Sequence, residues 1–168
     1  MKLCNSLILI AFAIFSISIT AEVNHSKVIS QDVALKLSDY GFFTNLSKQI
    51  PTDGVLPYDL NSALFSDYAD KLRFVYVPAG GFAEYHPDEV FDFPTGSVLI
   101  KTFAYLNDFP ESELDAQLLE TRLLIRHDDG WKNVSYIWNK EQTDAYKSIA
   151  GKTISTQFIN EYGDMQDI

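Results

Sequence analysis

The stretch that decides the fold of this chain is residues 118–139, LLETRLLIRHDDGWKNVSYIWN. Two runs of alternating apolar and polar residues meet at Asp129-Gly130, and Asp-Gly between two such runs is a strong signal for a β-hairpin. A two-residue loop at Asp129-Gly130 places Asp128 opposite Trp131. The pairs that follow from this register are Ile125 with Val134, Leu123 with Tyr136, and Thr121 with Trp138.

The two faces of this predicted hairpin differ in polarity. Directly opposed residues share a face, so one side becomes an aliphatic and aromatic wall. A hairpin sorted in this way has one buried face and one face in water. The second face carries Glu120, Arg122, Arg126, Asn133, Ser135 and Asn139, with Leu124 and Ile137 among them.

The rest of the chain predicts further strands and little helix. Strands are expected at 72–77 and 97–106, with a short return strand at 82–86. A helix is expected to begin at Ser30 and to end at Gly41, and one helical turn is expected within 140–151. The predicted fold is mostly β: an antiparallel β-sandwich or partly closed barrel with one or two short helices. The chain has 168 residues, which suggests a single domain over 35–168 after a loose segment at 22–34.

The first 21 residues predict export. Lys2 precedes an uninterrupted apolar run at 7–15, and small residues follow as far as Ala21. This pattern is typical of a secretory signal peptide cut after Ala21, and an uncleaved membrane anchor is the alternative. Cleavage removes Cys4, so the exported protein is expected to carry no cysteine and to make no stable membrane insertion. The expected location is the periplasm.

The charge of the chain excludes some partners. The formal net charge is −10, whereas binding to phosphate backbones or anionic lipid needs clustered Lys and Arg. Nucleic acid is therefore not an expected partner. An acidic surface suits solubility or the docking of a basic partner.

Several stretches resemble a known family. LSDYGFF, PTDGVLPYDLNSALFSDYADKLRFVYVPAG, FDFPTGSVLIKTFAY and ETRLLIRHDDGWKNVSYIWNKEQTDAY look like the N-terminal β-rich region of exported diheme c-type cytochromes, of the kind described from Shewanella. The resemblance implies an accessory domain of an electron-transfer protein, with a cytochrome domain or redox partner nearby. It also implies haem c in the family.

The chain departs from that family at the haem-binding part. Covalent attachment of haem c needs C-x-x-C-H, and no such motif is present. The expectation is a chain truncated before the haem motifs, or a domain that exists without its haem partner. No haem ligand is carried over to this sequence, and Met165 has no supporting pattern as one.

Oxygen and nitrogen ligands for a metal are present but poorly spaced. Asp59, Asn61, Asp67 and Asp70 resemble a calcium site by composition, yet they lack the EF-hand spacing and fit turn-capping residues better. The histidines, His25, His86 and His127, are far apart in sequence, which favours surface positions or hydrogen bonds over metal binding.

Two further hypotheses concern catalysis and carbohydrate binding. Glu120 and Arg122 share a strand face with Arg126, which fits a hydrolase carboxylate with its base or, more simply, an ion pair in water. The chain has no Ser/His/Asp frame, P-loop or dinucleotide fingerprint, so an enzyme is the least favoured class. A free-standing carbohydrate-binding module is the main alternative. Its platform would use Tyr136, Trp138, Tyr105, Phe103 and Tyr76, although core packing explains Tyr136 and Trp138 more simply.

Overall fold

The computed structural model describes residues 22–62, 64–65, 69–106, 116–149, 157–159 and 162–167. The N-terminal part contains helix α1 (His25–Val28), a 3-10 helix (Leu37–Tyr40), β1 (Phe43–Asn45) and β2 (Ile50–Pro51). Strands β1 and β2 pair with each other as a small antiparallel sheet. Near the C-terminus, β9 (Gln157–Ile159) and β10 (Met165–Asp167) form a second small antiparallel sheet.

The main sheet is built from six consecutive strands. They are β3 (Val55–Pro57), β4 (Asp70–Tyr76), β5 (Val98–Leu106), β6 (Ala116–His127), β7 (Gly130–Trp138) and β8 (Ala145–Ser148). Each strand pairs antiparallel with the next one along the chain, so the spatial order equals the sequence order. The predicted class, mostly β with antiparallel pairing and little helix, is confirmed. The sheet does not close into a barrel.

One face of this sheet is buried beneath the N-terminal part of the chain, and we call it the covered face. Phe43 packs edge-on against Phe74, with ring centroids 5.0 Å apart, and Tyr40 packs edge-on against Tyr136 at 6.1 Å. Complete burial of a large apolar side chain stabilises a fold by about 1.5–3 kcal/mol. The covered face and its cover thus form the core. Its buried sheet residues are Val55, Phe74, Tyr76, Val98, Ile100, Ala104, Leu118, Leu123, Ile125, Val134, Tyr136, Trp138 and Ala145, and those of the cover are Val28, Ala34, Leu37, Tyr40, Phe42 and Phe43.

The central hairpin forms as expected, but its register differs from the predicted one by two residues. Leu123 pairs with Val134, and the loop consists of Asp128 and Asp129. Both aspartates keep a negative φ, while Gly130 has a φ of +130° as the first residue of β7. Gly130 therefore follows the two-residue loop. In a turn centred on Asp129-Gly130 it would be the second residue of the loop. Because side chains alternate with a period of two, a shift of two residues leaves both predicted faces correct.

The N-terminal helix prediction is wrong in its position. The 3-10 helix starts after Lys36, not at Ser30, although Gly41 ends it as expected with a φ of +68°. Segment 22–34 was expected to be loose, but it holds α1 and contributes Val28 and Ala34 to the core. Most of its few apolar residues belong to the core or pack against it, and sequence periodicity does not register such isolated positions.

Two predictions in the connections are also wrong. Residues 82–86 form no strand, and Glu84 makes only an isolated bridge to Asp92. The expected helical turn in 140–151 is replaced by β8, which adds the last strand to the sheet. An acidic surface loop is also expected at 107–115 from its sequence, and this stretch lies outside the described residues.

Both edges of the main sheet are protected from further pairing. At β8, the Lys147 amide donates to the Leu35 carbonyl at 2.9 Å, and Lys36 bridges to Tyr146. At the other edge, β3 has three residues and ends in Pro57. Short edge strands, proline and covering segments are common devices against edge-to-edge aggregation.

The predicted signal peptide at 1–21 lies outside the described ranges. Within those ranges, no helix has the length and apolar character needed to cross a membrane.

Candidate functional site

The second face of the main sheet is covered only in part by the described residues, and we call it the open face. Its side chains are half-buried or exposed, in contrast to their neighbours on the covered face. It mixes large apolar side chains with charged ones. The open-face residues of the four central strands are Lys71, Arg73, Val75, Leu99, Lys101, Phe103, Glu120, Arg122, Leu124, Arg126, Trp131, Asn133, Ser135 and Ile137.

Three cations face one another across three adjacent strands. Arg73 pairs with Lys101, and Lys101 pairs with Arg122. We call these three residues the cation row. Directly opposed side chains in an antiparallel sheet have Cβ atoms about 5 Å apart, and like charges at that spacing destabilise the sheet.

This repulsion affects the pKa of Lys101, the central member of the cation row. Burial lowers the pKa of Lys101, and the positive charges of Arg122 and Arg73 lower it further. Its ammonium lies 4.9 Å from the centroid of the Phe103 ring, a contact that partly replaces lost hydration. The row is thus a local concentration of positive charge in a chain whose formal net charge is −10.

Glu120 balances the positive charge of Arg122, at one end of the cation row. Its two carboxylate oxygens accept from Nε and Nη2 of Arg122 at 2.9 and 2.8 Å. Burial acts to raise the pKa of Glu120, but hydrogen bonds from Arg122 and Ser135 outweigh it, so the pKa lies below its ordinary value. The ion-pair interpretation of Glu120 and Arg122 fits this geometry. A hydrolase acid needs a raised pKa, and Glu120 has the opposite.

We expect Glu120→Gln to lower the free energy of unfolding by about 1 kcal/mol at pH 7, because a partly buried pair is lost and the cation row is left less compensated. The folded-state pKa of Glu120 is depressed, so its contribution is present above the unfolded pKa and is lost as the pH falls through the folded value. Urea unfolding at pH 7 and in acid checks this, with the exposed Glu141→Gln as control. A difference of the same size in acid would contradict the pairing.

Arg126 lies apart from the cation row, near the hairpin loop. Its Nε donates to the Phe93 carbonyl at 3.4 Å, and its guanidinium carbon lies 5.9 Å from the Trp131 ring centroid. The structure therefore brings Glu120 and Arg122 together and keeps Arg126 separate from them.

Arg73, at the other end of the row, borders a cleft of about 380 Å³. The cleft opens where β3 ends and the chain turns away from β4. Tyr58 still donates its amide to the Arg73 carbonyl at 3.1 Å, and the Lys71 ammonium bonds to the Leu64 carbonyl. The lining residues are Pro57, Tyr58, Asp59, Lys71, Leu72, Arg73 and Phe74.

The predicted calcium ligands do not assemble within the described residues. Asp59 caps the Leu60 amide at 2.8 Å and lies 3.5 Å from Arg73. Asn61 and Asp70 are exposed, and Asp67 lies outside the described residues. In the described ranges, no group of three or more His, Cys, Asp or Glu side chains gathers around a common point.

The three histidines also lie in separate places. His25 contacts the Tyr76 hydroxyl through Nδ1 at 3.3 Å, and His86 is half-buried. His127 was expected at the surface or in a hydrogen bond, but it is buried, and its Nε2 has no hydrogen-bond partner among the described residues. His127 is buried because it lies two residues after Ile125 on β6, and its side chain therefore points to the same, covered face.

The predicted aromatic platform is wrong, because Tyr136, Trp138, Tyr105 and Tyr76 are buried and only Phe103 is half-exposed. A different set of aromatic residues is accessible, and we call it the aromatic strip. It consists of Tyr85, Phe91, Phe93 and Trp131, with successive ring centroids 5.9, 6.4 and 5.8 Å apart. Sequence alternation gave no signal for it, since three of its members lie outside the strands.

Haem c does not fit the residues of this chain. Its covalent attachment needs two thiols, and the sequence has one cysteine, Cys4. We therefore assign no step to haem here. Comparison with protein families, curated proteins and solved structures gives no match.

Proposed function

We propose that this chain is a non-catalytic accessory domain of an exported diheme c-type cytochrome, and that its open face docks against the cytochrome part or a redox partner. The periplasm is the proposed location. The observation that carries this proposal is that the two faces of the main sheet differ in how far they are buried. The N-terminal part covers one face completely, whereas the other face keeps large side chains at the surface.

The apolar content of the open face supports docking. Leu124 and Tyr146 are exposed, and Leu99, Phe103 and Ile137 are half-buried. Contiguous apolar surface on a soluble protein commonly marks an interaction site. The ordered strands that carry these side chains provide a rigid surface for a partner.

The charge of the open face indicates the kind of partner surface. Of the cation row, Lys101 and Arg122 lie beside these apolar residues with Glu120 as the neighbouring carboxylate, whereas the side chain of Arg73 is nearly buried. A partner surface rich in carboxylates would relieve the repulsion within the row, and complementary charge favours encounter and orientation. The net negative charge of the chain suggests a basic partner. The proposed docking surface is nevertheless locally basic, which suits an acidic one.

The proposal is tested on protein isolated from the organism that produces it, by intact mass and a reduced-minus-oxidised visible spectrum. We expect c-type haem bands, either covalently in a product heavier than 19.0 kDa or in a haem protein that co-elutes in fixed ratio. A product with neither attached nor co-eluting haem would contradict the proposal.

Carbohydrate binding is the second candidate, and the aromatic strip favours it. Trp131 is 42% exposed and Tyr85 and Phe91 are exposed beside it, and sugars stack on accessible aromatic rings. The rings are tilted by 50–76° to one another, which breaks the flat platform that a polysaccharide chain prefers. Saturable quenching of Trp131 fluorescence by soluble oligosaccharides, lost when Tyr85 and Phe91 are replaced with alanine, would select this function over docking.

A further inference from the structure

We propose that the cleft beside Arg73 is a binding site for a carboxylate group. The site lies between the end of β3 and the first half of β4, at the edge of the open face. It shares Arg73 with the cation row, but the inference does not rest on the proposed function. Three features of the cleft carry it: a buried cation with unused donors, a loosely held internal carboxylate, and an excess of positive charge.

The buried cation is Arg73, whose side chain is only 9% exposed. Its Nη1 donates to the Lys71 carbonyl at 2.9 Å. A guanidinium has five N–H donors in a planar fork, and within the described part of the chain only Nη1 is engaged. A buried charge that keeps unused donors carries a desolvation cost, which a bound anion offsets.

The internal carboxylate is that of Asp59, and its place beside Arg73 shows where the cleft attracts an anion. Its Oδ1 lies 3.5 Å from Nη1 of Arg73, and its side chain is 90% exposed. That distance is too long for a strong hydrogen bond, and the same oxygen accepts from the Leu60 amide at 2.8 Å. Asp59 thus satisfies Arg73 poorly. A free carboxylate could meet the guanidinium with both oxygens, in the two-bond arrangement that makes such pairs strong.

The surrounding charge favours an anion, and the cleft walls favour a small organic one. Lys71 lines the cleft, and Lys101 lies next to Arg73 across the sheet. Leu72, Phe74 and Pro57 add apolar walls. A volume of about 380 Å³ lies at the small end of ligand pockets. The site therefore takes a carboxylate on a short carbon chain, from either a free organic acid or an acidic side chain of a polypeptide.

The test follows the arginine Nε–H signals by NMR while the full chain is titrated. The protein has only three arginines, Arg73, Arg122 and Arg126, so each signal is assigned by one substitution. The probes are succinate and a short glutamate-containing peptide with blocked ends, each compared with sodium chloride at equal ionic strength. We expect a saturable shift of the Arg73 signal and little change for Arg126.

Two substitutions sharpen the test. Arg73→Lys keeps the charge and loses the fork, and we expect about tenfold weaker binding, followed by backbone amide signals because the Arg73 signal is absent, with Arg126→Lys as the matched control. Asp59→Asn removes the competing carboxylate while the cation stays, and we expect binding to tighten by about threefold or more. A purely structural Arg73–Asp59 pair gives no reason for that gain. Asp59→Asn also keeps the test decisive if Arg73→Lys folds poorly.

The outcomes separate the sources of the carboxylate and the two proposals. Tighter binding of succinate assigns the cleft to a free organic acid, and tighter binding of the peptide assigns it to a polypeptide. An Arg73 shift that sodium chloride reproduces, or that never saturates, overturns the site. That result leaves docking through the central strands intact, because docking is tested by haem co-elution and not by this titration.

Discussion

Replacement of Gln142 with alanine is expected to lower the free energy of unfolding by about 3 kcal/mol. The Gln142 side chain is buried, and its Oε1 accepts from the Leu118 amide at 2.6 Å while its Nε2 donates to the Leu118 carbonyl at 3.1 Å. The ladder between β6 and β7 begins only at Glu120. Gln142 therefore stands in for a strand partner at Leu118, and its loss leaves two buried backbone groups unpaired, at about 1–3 kcal/mol each.

The backbone of Gln142 supplies a matched comparison. Its φ is +54°, a left-handed conformation that glycine adopts more easily than other residues. Gln142→Gly loses the same hydrogen bonds as Gln142→Ala but relieves this strain, so we expect it to be about 1 kcal/mol more stable than the alanine variant. Urea unfolding of both variants measures the difference. An alanine variant within about 0.5 kcal/mol of the parent would show that water replaces the amide without loss.

The second large effect is expected at high pH and comes from Tyr136. Its hydroxyl is fully buried and donates to the Ala34 carbonyl at 2.9 Å. The Tyr40 hydroxyl lies 3.0 Å away. Because the single hydrogen of Tyr136 goes to Ala34, Tyr40 donates to Tyr136. Burial, together with this interaction with Tyr40, raises the pKa of Tyr136 above its ordinary value of 10.0.

Because of this raised pKa, the free energy of unfolding is expected to decrease as the pH rises in the alkaline range. Below the unfolded pKa, both states keep the proton and the stabilisation is complete. Above it, the unfolded chain ionises while folded Tyr136 cannot, so stability falls by about 1.4 kcal/mol for each pH unit. We expect Tyr136→Phe to remove about one proton from the pH dependence of urea unfolding above pH 10, with the exposed Tyr85→Phe as the control variant. Identical slopes in both variants would contradict the buried hydroxyl network.

Much of the main sheet could be predicted from the sequence because alternation is a local signal. The strand at 72–77 and the strand at 97–106 appear as β4 and β5. The hairpin faces were correct although its register was not. Asp128 and Asp129 made the turn instead of Asp129 and Gly130, a choice that depends on backbone torsions that the Asp-Gly signal alone does not determine.

The covering layer could not be predicted in the same way. It depends on contacts between residues far apart in sequence, such as the Ser38 hydroxyl donating to Asp144 at 2.7 Å. The helical elements of this layer are four residues each, too short to show a period. Its position is fixed by tertiary packing, which overrides the weak local preferences.

The candidate site was found only in part, for a related reason. Glu120 and Arg122 are two apart on one strand, so their shared face was visible from the sequence. Arg73 and Lys101 lie on different strands and meet Arg122 only through the register of three strands. The cleft depends also on where β3 ends and the chain departs, which alternation does not specify.

The central claim is that the open face docks a haem-containing partner, and the most direct test compares two aspartate substitutions in the tagged protein. Leu124 lies on the open face and is 39% exposed, whereas Leu35, in the N-terminal part of the chain, is a leucine that is 69% exposed. Where the haem is carried by a separate protein, we expect its c-type absorbance to co-elute with the parent protein and with Leu35→Asp from the organism that produces it, and to be lost with Leu124→Asp. Equal haem absorbance with both variants would contradict docking through the open face.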